Sequence, residues 1–307
     1  MSENKKSELD TRALDYTFMM ELLDELCRRY DFFSMNYLGT SLLGKNIPIV
    51  KLGDADDAVL YVGSHHAAEW LCGTVLMRFL FDYSTLRSTD KSPFGVRLSE
   101  YPKSIYVVPM LNPDGVDMAI NGVSEDNILK DRLFSMNKNS RDFSHWKANA
   151  RGVDLNHNYN AGFEEYKPIE ASLGIFGGAP TRYSGEYAES EPEVGALCSF
   201  LRFNENVKMV LTLHTQGEEI YYSSGDVVLP KAKEIAAYFS RLCGYAAAVP
   251  EGAAAYGGLT DWVIRELGRY SFTLECGRGE TPLPLEDGFK IYSDLRELLF
   301  SAPLVRV

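Results

Sequence analysis

The stretch AVLYVGSHHAAEW, residues 58–70, joins a short apolar run to two histidines and a glutamate. The run AVLYVG has no charged residue and ends at a glycine, which is typical of a strand buried on both faces of a sheet. Residues 70–83 then show the apolar spacing of a helix. The stretch therefore predicts a buried strand that leads into a helix, with polar side chains at the junction.

Similar apolar runs recur along the chain. We predict further strands at residues 33–38, 48–52, 104–110, 207–213 and 270–274. Helices are predicted at residues 16–30, 191–203, 230–242, 260–267 and 284–299. Buried strands that alternate with helices predict an α/β fold, with a doubly wound, mixed but mostly parallel sheet and helices on both faces.

The segment from residue 112 to residue 182 has no clear periodicity and is rich in asparagine, glycine and aromatic residues. We therefore predict a long irregular stretch there, and loops of this length in a compact domain usually build a site. Because the chain shows no linker, repeat or low-complexity tract, we predict a single domain over residues 1–307.

The composition argues against several classes of protein. The net charge of −12 disfavours nucleic-acid binding, which needs clustered Lys and Arg. No apolar run approaches the roughly 18 residues of a membrane span. The five cysteines are scattered and include no C-x-x-C pair, so neither a disulfide framework nor a cysteine zinc site is expected. The polar N-terminal residues have no apolar signal region, which predicts a cytoplasmic location.

Histidine and glutamate side chains follow two of the predicted strands. His66 and Glu69 are three residues apart at the start of a predicted helix, so they lie on neighbouring positions of one face. His214 follows the strand at residues 207–213. Two histidines and one carboxylate form a known catalytic zinc set that leaves a fourth position for water. We therefore predict one Zn²⁺ per chain, held by His66, Glu69 and His214.

Glu275 follows the apolar strand at residues 270–274. A carboxylate at the end of a buried strand is costly to desolvate unless it has a task, and beside a metal-activated water that task is general base. Each of these features also has an ordinary structural explanation when it stands alone. Their placement at three strand ends of one α/β chain, where such sheets bind ligands, favours an active site.

The order of motifs in the chain resembles the zinc carboxypeptidase family. The motifs are H-x-x-E-W, NPDG, GVDLN-x-N, a lone histidine, and a glutamate after an F-T-L strand. The resemblance implies a zinc peptidase catalytic domain with Glu275 as the catalytic carboxylate. It also implies a cation beside the scissile carbonyl, for which Lys147 is the candidate and Arg151 the alternative; Lys147 as a solvated surface residue also stays open.

The chain departs from the family pattern at three places. The family's Asn-Arg pair, which binds a substrate carboxylate, is Asn156-His157 here. A histidine cannot reproduce the bidentate fork of an arginine, which argues against strict exopeptidase action. Ala253 stands where a mobile tyrosine is common, although Tyr256 is near in sequence, and Ala68 replaces a frequent arginine.

Within the family, the runs HTQGEEIYY and ECGRGETPLP are similar to the γ-D-glutamyl-L-diamino acid peptidases. This likeness implies a muropeptide substrate, cleaved at an amide bond by zinc-activated water with a glutamate as general base. Thr260 stands at the family's specificity position and implies a pocket that is neither strongly acidic nor large and apolar. Arg278 and Arg182 are candidates to contact a substrate carboxylate.

Three other functions fit parts of the sequence. A carboxypeptidase for ordinary peptides would share the same motifs. An N-acyl amino acid deacylase has the same ligands but lacks the long insertion between GVDLN-x-N and S-x-E-x-E. A non-catalytic binding module is disfavoured, because all three ligands and Glu275 are present.

Overall fold

One mixed sheet of eight strands organises the computed structural model, which describes residues 6–307. The strands are β1 (Phe33–Thr40), β2 (Asn46–Leu52), β3 (Ala58–Val62), β4 (Ser104–Val108), β5 (Val207–His214), β6 (Glu219–Tyr221), β7 (Ala246–Ala248) and β8 (Tyr270–Glu275). Their spatial order is β1-β2-β4-β3-β5-β8-β6-β7. The central strands β4, β3, β5 and β8 are parallel, whereas β1, β2 and β6 join through antiparallel pairs.

Helices cover both faces of this sheet. They are α1 (Tyr16–Arg29), α2 (Leu71–Ser88), α3 (Pro113–Asn121), α4 (Lys130–Met136), α5 (Phe163–Ser172), α6 (Pro192–Phe203), α7 (Ala232–Cys243), α8 (Leu259–Leu267) and α9 (Asp287–Ser301). The predicted α/β class with a mostly parallel mixed sheet is confirmed. None of the helices within residues 6–307 combines the length and the apolar character of a bilayer span.

Alternate residues of β3 divide the core into two layers. Val59 and Tyr61 pack with apolar residues of α1, α2 and α9, and the Tyr61 hydroxyl donates to the Leu299 carbonyl at 2.6 Å. Leu60 and Val62 face the other side and pack with residues of α6 and α8. Burial on both faces explains why this strand is apolar throughout.

The stretch predicted to be irregular contains the three helices α3, α4 and α5, so that expectation was wrong in part. The start of α3 shows the reason, because NPDG has the composition of a turn. Asn112 caps the helix by accepting a hydrogen bond from the Gly115 backbone N–H, and Pro113 is the first helical residue. The same residue types favour turns and helix N-termini, so sequence alone does not separate them. Strands β6 and β7 were also missed, since three residues show no periodicity.

The carboxyl ends of β3, β5 and β8 meet at one edge of the sheet. Val62 pairs with Thr212, and two residues further along β5 His214 pairs with Glu275 of β8. Two glycines allow helix α2 to begin close to this edge. An added Cβ at Gly63 or at Gly73 would lie 2.9 Å from the Pro109 carbonyl oxygen. The residues that follow β3 therefore pack closely against the Pro109 backbone, which cannot move easily.

We expect Gly63→Ala to lower the free energy of unfolding by about 1–3 kcal/mol, because the new methyl group meets backbone atoms on two sides. Gly195→Ala is the matched control. Gly195 lies inside α6, and the nearest atom outside that helix to an added Cβ is the Glu189 carbonyl oxygen at 3.9 Å, so alanine there should stabilise by about 0.5–1 kcal/mol. Denaturant unfolding of both variants measures the difference. Equal stability of the two variants would contradict the close packing at Gly63.

Candidate functional site

Three side chains converge beyond the ends of β3 and β5. His66 has extended backbone, Glu69 lies in the following 3-10 turn, and His214 is the last residue of β5. His66 Nδ1 lies 2.9 Å from one Glu69 carboxylate oxygen, and His214 Nδ1 lies 3.0 Å from the other. The two Nδ1 atoms are 3.3 Å apart. These three residues can hold a metal ion, since one ligand atom of each lies within 4.8 Å of the others.

The donor set fits zinc. Two imidazole nitrogens and one carboxylate are the ligands of a catalytic zinc site. Burial opposes the charged form of His66, but Glu69 and Asp154 outweigh it and raise the pKa of His66 to about 10. Burial lowers the pKa of His214, which favours the neutral ligand form. A divalent cation between these atoms would replace the Nδ1 proton of His66, as expected where metal binding is coupled to proton release.

Asp154 orients the His66 ring by binding its Nε2, on the side of the ring away from Glu69 and His214. Its Oδ1 lies 3.0 Å from His66 Nε2, and a carboxylate oxygen can only accept, so the Nε2–H donates and Nδ1 faces the ligand set. Burial alone would raise the pKa of Asp154, but the nearby His66 and His157 hold this pKa well below its usual range. The sequence alone did not point to Asp154 as a functional residue, although it is the aspartate of the GVDLN motif.

Glu275 faces the same centre from the end of β8. It is paired in register with His214, and its carboxylate forms no hydrogen bond with the described part of the chain, residues 6–307. Burial, and then the negative charge of Glu69, raise the pKa of Glu275. An unpaired carboxylate with a raised pKa beside a metal site is suited to proton transfer.

Lys147 and Arg151 lie in different places. The Lys147 ammonium is 2.8 Å from Glu69 Oε1 and lines the same cleft. Burial disfavours its charge, but Glu69 raises the pKa of Lys147. Arg151 instead binds Glu191 at 3.2 Å and lines a separate cavity. Of the two predicted cations, Lys147 is the one beside the metal ligands.

Asn156, His157 and Thr260 also line the cleft. Asn156 Oδ1 accepts from the Leu259 backbone N–H at 3.1 Å. The His157 ring stacks on Tyr166 at 4.0 Å, and its Nδ1 lies 2.9 Å from the Tyr256 carbonyl oxygen. The Thr260 hydroxyl belongs to a small cluster of hydroxyl groups with Ser271 and Thr273.

Tyr256 and Arg278, which were also predicted to bind substrate, do not line this cleft. The Tyr256 ring packs against Gly162, whereas Ala253 and Ala254 of the same loop do line the cleft. Arg278 has an exposed side chain that pairs with Glu218 at 2.7 Å. A contact of either side chain with substrate would require movement or a long substrate.

The cleft has a volume of about 400 Å³ and contains both the candidate metal ligands and the candidate substrate contacts. A cavity of this size is within the range of sites for small molecules and short peptides. Two further lining residues, Arg182 and Asp261, bring a positive and a negative side chain to its walls. The arrangement can hold a metal, move a proton and stabilise negative charge within one cleft.

Comparison with known proteins agrees with this arrangement. The model of the zinc carboxypeptidase family matches residues 19–293. The γ-D-glutamyl-L-diamino acid endopeptidase 1 of Lysinibacillus sphaericus is 34% identical over 282 residues, which cover 91% of this chain and 69% of that relative. Carboxypeptidase B of Bos taurus is 27% identical over 265 residues, which cover 80% of this chain and 58% of that protein.

Among solved structures, bovine thrombin-activatable fibrinolysis inhibitor, in complex with tick carboxypeptidase inhibitor, has the same fold. The TM-score is 0.71 at 20% identity, and the match covers 97% of this chain and 98% of that chain. The family match over most of the chain, together with the His-Glu-His ligand set, identifies the enzyme class. The chain belongs to the zinc carboxypeptidase family and is a zinc-dependent metallopeptidase.

Proposed function

We propose that this enzyme hydrolyses an amide bond in peptidoglycan-derived peptides, between a γ-linked D-glutamate and a diamino acid. The main support for this substrate class is the environment of His157. Its ring is stacked on Tyr166 and bound to the Tyr256 carbonyl, so the position offers no guanidinium to a terminal carboxylate. The 34% identity to a γ-D-glutamyl-L-diamino acid endopeptidase supports the same class. We also propose that residues 1–307 form one catalytic domain; a cytoplasmic location stays a prediction.

His66, Glu69 and His214 would hold the zinc ion. When bound, zinc supplies a Lewis acid that polarises the scissile carbonyl and lowers the pKa of a water molecule. Glu275 accepts a proton from the attacking water and delivers it to the departing nitrogen. Lys147 places a positive charge where the carbonyl oxygen becomes an oxyanion. Asp154 keeps the His66 ring in the orientation that presents Nδ1.

Defined peptides test the substrate class. We expect cleavage of γ-D-glutamyl-diaminopimelyl and γ-D-glutamyl-lysyl peptides between the glutamate and the diamino acid, with the products identified by mass. Ordinary α-linked peptides and N-acyl amino acids serve as comparison substrates. Release of single C-terminal residues from the α-linked peptides, with the γ-linked peptides left intact, would indicate a carboxypeptidase, and hydrolysis of N-acyl amino acids alone would indicate a deacylase. Binding without any hydrolysis would indicate a binding module, and each of these results contradicts the proposal.

The variants Glu275→Gln and His214→Ala separate proton transfer from metal binding. We expect Glu275→Gln to lower kcat by about 10²–10⁴-fold and to keep one zinc per chain, because this side chain is not a ligand. His214→Ala should lose zinc as well as activity, since two ligands remain. His145→Ala is the control, because His145 is exposed and its side chain bonds to the Thr281 carbonyl, away from the predicted ligands. Metal analysis and steady-state rates measure both effects; loss of zinc in Glu275→Gln would refute the assignment.

A second pair of variants distinguishes the two cations. Lys147→Gln should lower kcat by about 10²–10³-fold, as for removal of an oxyanion donor, with a smaller change in KM. Arg151→Gln should leave kcat within about threefold, because Arg151 faces a separate cavity. Steady-state kinetics on one γ-D-glutamyl peptide checks both variants. The reverse pattern would assign the role to Arg151.

A further inference from the structure

Arg182 occupies an unusual place in the cleft wall. Its φ of 66° is left-handed, a conformation that costs a non-glycine residue about 1 kcal/mol or more. Its backbone N–H donates to Asp154 Oδ2 at 2.8 Å. The other oxygen of that carboxylate binds His66. The strained residue is therefore fixed to the metal centre through one side chain, and its own side chain lines the cleft.

The guanidinium of Arg182 is exposed and unpaired. Within residues 6–307, no carboxylate lies within 4.0 Å of it, and it donates no hydrogen bond. The other cation that lines the cleft, Lys147, is paired with Glu69. A guanidinium without a partner beside an active centre is able to bind a carboxylate in bidentate fashion.

His157, although it is the nearby basic residue, cannot take this role. The Tyr256 carbonyl can only accept, so Nδ1 of His157 carries the proton and Nε2 is left as an acceptor in the neutral ring. Burial lowers the pKa of His157 and keeps the ring neutral. The negative charge of Asp154 raises this pKa, whereas the positive charges of His66 and Arg182 lower it further. Anion binding at this wall therefore depends on Arg182.

Asn156 provides a second donor in the same cleft. Its Oδ1 is used by the Leu259 N–H, while its Nδ2 donates to no group within the described residues 6–307. Asn156, His157 and Arg182 all line the cleft. An amide N–H and a guanidinium that line one cleft are both able to donate to the oxygens of a carboxylate.

We propose that Arg182, assisted by Asn156, binds a free carboxylate of the substrate next to the scissile amide, and so determines specificity. This inference rests on the proposed function. In a γ-D-glutamyl-diaminopimelyl peptide, three carboxylates have the required chemistry. They are the α-carboxylate of the glutamate, the side-chain carboxylate of the diamino acid and, in a tripeptide, its main-chain carboxylate.

The test compares wild type and Arg182→Gln on four substrates: the tripeptide with all carboxylates free, and three versions in which one carboxylate is amidated. We expect the variant to lose about 10–100-fold in kcat/KM on the free tripeptide, mainly through KM. Amidation of the bound carboxylate should lower kcat/KM of the wild type by a similar factor. It should leave kcat/KM of Arg182→Gln almost unchanged, because that variant no longer binds this carboxylate. The version that shows this pattern identifies which carboxylate binds.

Two further variants separate recognition from folding. Arg182→Asn suits the left-handed backbone and keeps the N–H bond to Asp154, so it should fold, retain zinc and show the same specificity loss. Arg141→Gln is the control, since Arg141 is exposed, pairs with Glu125 and is not part of the cleft wall. A loss that is equal on all four substrates, or no loss at all, would overturn the role of Arg182.

Failure of the proposed function gives a different result. If wild type cleaves none of the γ-D-glutamyl peptides, the substrate class is wrong. The same variants are then compared on the peptide that wild type does cleave, with its carboxylates free and amidated in turn. A specificity loss in Arg182→Gln on that peptide would keep the carboxylate role, and its absence would remove it.

Discussion

The carboxylate of Glu69 is almost completely buried, at 2% exposure, and the arrangement of the site depends on compensating its charge. A carboxylate taken out of water costs several kcal/mol unless charged partners or hydrogen bonds replace the solvent. One oxygen has His66 Nδ1 and Lys147 Nζ as neighbours, and the other has His214 Nδ1 and the Thr215 backbone N–H. These partners come from separate chain segments, which the sheet edge and the loop around residue 147 bring together.

Asp154 connects this centre to the part of the cleft that contains Arg182. It lies between the His66 ring and the backbone of Arg182, and it is itself almost fully buried. Because one carboxylate binds both residues, the predicted metal ligand His66 and the backbone of Arg182 keep a fixed separation. A substrate carboxylate bound by Arg182 would place the amide near the metal centre, and binding remote from the reacting atoms can aid catalysis in this way.

The sequence was sufficient for the features that have strong local signals. The apolar runs of β3, β4, β5 and β8 predicted the parallel centre of the sheet, and the strand ends predicted where His66, His214 and Glu275 would meet. Short elements such as α4 and β7 gave no such signal. Asp154 was missed because its partner His66 is 88 residues away in sequence. A contact of that separation follows from tertiary structure and not from any local pattern.

The choice between Lys147 and Arg151 shows the same limit, since both are cations in one short motif. The structure separates them through the backbone: the Ala67 N–H donates to the Lys147 carbonyl at 3.0 Å, and the Ala68 N–H donates to the Trp146 carbonyl at 2.8 Å. The predicted zinc motif thereby fixes residue 147 beside the predicted metal ligands, and Arg151 falls beyond the next turn.

The distribution of positive charge follows from these placements. Two positions that resemble arginine sites of the family are neutral here, because Ala68 has no charge and burial keeps His157 neutral. Lys147 is occupied by Glu69, so a substrate carboxylate cannot recruit it without weakening that pair. Negative charge on the substrate therefore has to be met from a different segment of the wall. The left-handed backbone at Arg182 is consistent with that demand, since local strain persists where a side chain must be aimed at one place.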